Sequence, residues 1–167
     1  MFASPASLRK YLIMLSNPLF PLCRRILCLF LLSMACTDVL AGAREEAEEA
    51  AQALARDQEK LGGYSFRAEA WVGDLSKEIG KAVKMQLFKG HEYCIGVAVP
   101  RKSGVRVTGA VLDFSGQPVG EIQPVLDGWG FLLFFKPKRT GVYVVTIREE
   151  EGGKMKNTAC AVITGYK

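Results

Sequence analysis

At 167 residues the chain has room for one domain behind a leader, and its 17 glycines point to many turns. The formal charge of +5 is unevenly placed: Arg9, Lys10, Arg24 and Arg25 fall in the first 43 residues, while residues 44–167 hold 18 basic and 16 acidic side chains. That near balance excludes a protein built to neutralise a run of phosphates, so nucleic acid is not an expected partner.

Residues 1–43 read as a signal peptide. Arg24-Arg25 precede an apolar run, Ile26–Ala35, and small residues follow, with Ala41-Gly42-Ala43 matching a cleavage pattern. Val39-Leu40-Ala41 is a second possible cut. The mature protein then starts at Gly42 or Arg44, and Met14 offers an alternative start codon. The apolar run is too short for the roughly 20 residues that a membrane-spanning helix takes, so no stable span is expected after cleavage. Cys36 sits in a poor imitation of a lipoprotein box, with Ser33 where leucine belongs. The implied destination is secreted, periplasmic or cell-surface.

Residues 44–63 are rich in Ala, Glu and Gln, which are good helix formers. Glu45, Glu46, Glu48 and Glu49 suit the positive end of the helix dipole, and Gly62-Gly63 ends the segment. Ala47, Ala51, Leu54, Gln58 and Leu61 share a face. Only two of these are large and apolar, so the segment reads as a solvated linker, with a partner-binding helix as the alternative.

From residue 64 the period changes to two, and residues 64–167 read as the folded domain. Eight strands are expected, near Tyr64–Val72, Val83–Phe88, Tyr93–Val99, Val105–Val111, Gly120–Val125, Phe131–Lys136, Val142–Ile147 and Asn157–Thr164. Asp74, Asp113 and Asp127 each lie beside or near glycine, where turns are expected. Short strands at this spacing without a helical period between them predict an all-β, antiparallel, jelly-roll-like sandwich. Tyr143 follows a Thr-Gly turn, a place where its ring can be buried and its hydroxyl returned to loop backbone as a tyrosine corner.

Three stretches resemble a known family. Lys89-Gly-His-Glu-Tyr93-Cys-Ile95, Val111-Leu-Asp113-Phe-Ser-Gly116 and Phe135-Lys-Pro137-Lys-Arg-Thr140-Gly141-Val-Tyr143-Val-Val145 are similar, in that order, to motifs of bacterial pre-peptidase C-terminal domains. The likeness covers roughly residues 80–150. It implies a secreted jelly-roll-like sandwich of the kind appended to exported peptidases and other enzymes. Within these 167 residues no catalytic domain is expected beside it.

Little chemistry is written in the side chains. His91 is the single histidine, so a small exported hydrolase would have to use it as its base. His91, Cys94 and Cys160 are too few and too scattered for a zinc site, and no calcium loop spacing is present, so no metal or cofactor is expected. Two of the five cysteines, Cys94 and Cys160, lie beyond the leader and are candidates for one disulfide closing a loop of 66 residues; two separate buried thiols are the alternative. Candidate ligand-binding residues are Trp71 and Trp129, which sit near glycines, and the basic turns Arg101-Lys102 and Lys138-Arg139. The expectation is a non-catalytic binding or accessory module with a protein or glycan partner. A carbohydrate-binding module using Trp129 is the first alternative.

Overall fold

The computed structural model describes the backbone of residues 20–167 and the side chains of residues 41–167. The signal peptide read over residues 1–43, including Met14 and Cys36, lies outside the described side chains as far as Leu40. The chain divides into two units, Met1–Leu40 and Ala41–Lys167, and the second contains the β-domain.

Helix α1 (Phe20–Gly62) is followed by strands β1 (Ser65–Phe66), β2 (Trp71–Ser76), β3 (Lys81–Leu87), β4 (Tyr93–Ala98), β5 (Arg106–Leu112), β6 (Pro118–Val119), β7 (Glu121–Val125), β8 (Gly130–Phe135), β9 (Gly141–Glu151) and β10 (Asn157–Tyr166). These strands form two antiparallel sheets. The six-stranded sheet runs β1-β10-β4-β8-β7, with β2 also paired to β10, and the four-stranded sheet runs β3-β9-β5-β6. The expected all-β sandwich is therefore the observed fold. Some boundaries differ. The first expected strand is broken into β1 and β2 by an excursion at residues 67–70, and β2 continues through Asp74, where a turn was expected. A Gly-containing segment stays extended there because β10 supplies an uninterrupted six-residue ladder.

Alternation sets the core. In β4, Tyr93, Ile95 and Val97 point between the sheets, where they meet Phe131, Leu133, Val145 and Ile147. The intervening Cys94 and Ala98 point to the other face. That outer face is covered by the C-terminal part of α1: Ala47, Ala51, Leu54 and Ala55 are buried against Cys94, Ala98, Leu132, Ala161 and Ile163. The solvated-linker reading is thus corrected. Small residues on both helix and sheet permit close approach, and burial here comes from closeness rather than from large side chains. Arg44 donates to the Asp74 carboxylate at 3.1 Å, tying the helix to β2 as well.

The disulfide expectation also fails. Cys94 and Cys160 are both free and buried. Cys94 belongs to the layer under the helix and Cys160 to the layer between the sheets, so they lie on opposite faces of one sheet. Burial pushes both thiols up to about 12, with nearby charges as smaller influences.

Two tyrosines lock turns. The Tyr143 ring is buried and its hydroxyl donates to the Arg139 carbonyl at 2.9 Å, which is the tyrosine corner expected after Thr140-Gly141. The Tyr93 hydroxyl accepts from the Phe88 N–H at 3.0 Å and pins the β3–β4 connection.

Candidate functional site

The sandwich is open along one side. After β2 the chain turns through Ser76 and Gly80, with the Gly80 N–H donating to the Ser76 carbonyl at 2.8 Å. Gly80 has φ 73°, and a Cβ there would fall 2.5 Å from the Ile147 carbonyl oxygen, so only glycine fits this turn. The turn carries the chain from the edge of one sheet to β3, the edge of the other. Between these edges lies a groove of about 720 Å³.

The floor of the groove joins the two sheets: the Thr164 hydroxyl on β10 contacts the Met85 sulfur on β3 at 3.6 Å. Val83, Met85 and Leu87 form one wall, and Trp71, Val162 and Tyr93 contribute to the other. His91 and Tyr166 stand at one end with ring centroids 5.1 Å apart, edge to face. Arg67, Glu69, Lys84 and Gln86 supply polar groups at the rim. Residues 67–70, the excursion that breaks the edge strand, contribute Arg67, Glu69 and Ala70 to the lining.

Trp71 is the one expected ligand-binding residue in this groove, and it is 37% exposed. Its indole rests against Gly73, where a Cβ would collide with the ring, and Lys81 Nζ stands 5.2 Å from the ring centroid. The other expected residues lie elsewhere. Trp129 is half-buried and packs on the inter-sheet core, with the Arg101 guanidinium 4.8 Å over its ring. Lys102 pairs with Glu46 on α1 at 3.5 Å. Lys138 and Arg139 line a second cavity of about 500 Å³ with Asp113, Phe114 and Lys136, and Arg139 covers the Phe114 ring at 5.4 Å. The structure therefore joins Arg101 to Trp129, and Lys138 to Arg139, but makes no single cluster of the six.

His91 is exposed, and Tyr93 and Tyr166 are its aromatic neighbours. Asp113 serves its own turn: its carboxylate accepts from the Ser115 hydroxyl at 2.7 Å and from the Ser115 and Gln117 N–H groups. These bonds, the Ser115 hydroxyl first, hold its carboxyl below the usual range. Asp127 occupies a left-handed turn with φ 54°. Among the described residues no three His, Cys, Asp or Glu side chains converge as a metal site would require.

The sequence reading missed Met85, Thr164, Tyr166, Arg67 and Glu69 as groove residues. Their alternation was legible, but the fact that β2 and β3 are both edges depends on strand order, which no local pattern states.

Among the described residues no helix is long and apolar enough to cross a membrane. No protein-family model matches the chain, and no curated protein matches it significantly.

Proposed function

We propose that this protein is a non-catalytic β-sandwich binding or accessory module that acts outside the cytoplasm, of the pre-peptidase C-terminal kind. The observation that carries the reading is the groove between β2 and β3. It is open, contains aromatic and aliphatic walls, and has a few polar groups at its rim, the composition expected of a recognition site. Support for the family comes from the turn chemistry: the Thr140-Gly141-x-Tyr143 stretch forms a tyrosine corner, and Tyr93 of the Gly-x-x-Tyr stretch bonds the loop before it. The exported location rests on the Arg24-Arg25, apolar and small-residue order of the leader.

Chemical-shift mapping of the purified protein against soluble glycans and peptides tests the module reading. Shifts concentrated at Trp71, Met85, His91 and Tyr166 are the expected result. Turnover of an ester, peptide or glycoside that disappears in His91→Ala would overturn it in favour of a hydrolase.

A further inference from the structure

We infer that the groove takes an extended peptide, which adds as a further strand to the free edge of β3 and points alternate apolar side chains inward and acidic ones outward. This inference rests on the binding-module reading and specifies its ligand.

Three observations carry it. The first is backbone. Among the described residues β3 is the terminal strand of its sheet and pairs only with β9, through an unbroken seven-residue register from Lys81↔Ile147 to Leu87↔Gly141. Its other side therefore presents unpaired N–H and C=O groups along the groove. No proline or bulge blunts that edge. The second is side-chain placement. Val83 and Met85 lie on the core-facing side yet are only half-buried, in contrast to their β9 partners Val145 and Tyr143. An added strand would cover them with every second side chain, as strand periodicity requires. The third is charge. Arg67 and Lys84 line the groove and Lys81 stands beside it, against Glu69 as the acidic group in the lining. Outward acidic residues on a bound strand would meet Lys84, on the outward side of β3, as a cross-strand neighbour, with Arg67 as a second cation in the lining.

The same observations disfavour two other occupants. A sugar would need a bare aromatic plane, and Trp71 already has Gly73 against its ring and Lys81 over it. Edge-to-edge pairing with a second copy would bring two Lys81/Lys84 edges together, a like-charge arrangement that costs stability.

The test uses a capped peptide alternating Glu and Val, matched to the seven residues of β3. Binding is followed by the Met85 methyl and Trp71 indole resonances. Two further peptides carry N-methyl groups on one alternate set of amides or the other. Strand addition predicts that one set weakens binding about tenfold or more, because its N–H groups face β3, while the other set leaves it within about twofold. Lys84→Glu should weaken the Glu peptide and favour a Lys/Val peptide, a reversal that a purely structural lysine would not give. Equal effects of the two methylated sets would overturn the inference. So would peptide-independent dimerisation through β3. Movement of the same resonances by cellohexaose and not by the peptide would overturn the peptide assignment and leave the module reading standing. If neither probe moves them, both fall.

Discussion

β9 and β3 are hydrogen-bonded neighbours that present alternate residues to the same core, yet they end in opposite conditions. On β9, Tyr143, Val145 and Ile147 are 6%, 0% and 0% exposed, while on β3 the facing Met85 and Val83 are only partly buried and full burial is reached at the strand's end, where Leu87 is 1% exposed. The inward pattern alone does not make the difference, since apolar residues recur at every second position on both strands: Val83, Met85 and Leu87 on β3, and Tyr143, Val145 and Ile147 on β9. Position does. β9 has β3 and β5 on its flanks, whereas β3, among the described residues, has a partner on one side only. Burial follows from neighbours, and the strand left without one borders the groove.

The two strands should differ most at Tyr143 and the Met85 that faces it. Tyr143→Ala should cost about 3–5 kcal/mol by removing a buried aromatic and its corner bond. Met85→Ala, directly opposite across the ladder, should cost about 1 kcal/mol because its side chain is only partly covered. Paired denaturant melts check both, and equal losses would show that the two strands do not differ as described.

The helix layer offers the next largest effect. Leu54→Ala should cost about 2–3 kcal/mol, since Leu54 is 5% exposed against the outer face of the sheet. A solvated linker would lose almost nothing, so an unchanged melt would restore that reading.

Tyr143→Phe keeps the ring and deletes the hydroxyl bond to the Arg139 carbonyl. A loss of about 1 kcal/mol is expected, and the gap from the alanine variant separates ring from bond.

The smallest effect concerns Glu92. It accepts from the Tyr64 hydroxyl at 2.6 Å and pairs with Lys167 at 3.3 Å, and these contacts hold its carboxyl below the usual range, the Tyr64 bond first. A depressed folded-state value means that the stabilisation is present above the ordinary carboxylate range and disappears as pH falls through the folded value. The acid limb of a stability–pH profile should therefore flatten slightly in Glu92→Gln. An identical limb would show that the cluster is not linked to folding.

Much of the fold was legible because period-two alternation and turn residues are local. The pairs Tyr93/Ile95 and Tyr143/Val145 fixed which face of each strand looks inward, and Thr140-Gly141-x-Tyr143 announced its corner. What escaped was long-range. The cover over Cys94 and Ala98 comes from Ala47 and Ala51, whose smallness looked like a lack of burial when it is what lets the helix approach. Cys94 and Cys160 could not be paired from sequence, because opposite faces of one sheet become visible only when β10 is placed beside β4. Trp71 was singled out, but its companions Met85 and Thr164 meet across two sheets.

Residue-level hydrogen exchange of the unliganded protein tests the open side most directly. Alternate amides along Lys81–Leu87 should be protected by β9 while the intervening ones exchange close to unprotected rates, and the consecutive amides of Ala161 and Val162 on β10, flanked by both β2 and β4, should both be protected. Uniform protection along β3 would mean that its outer edge is covered, and the account of the groove would be wrong.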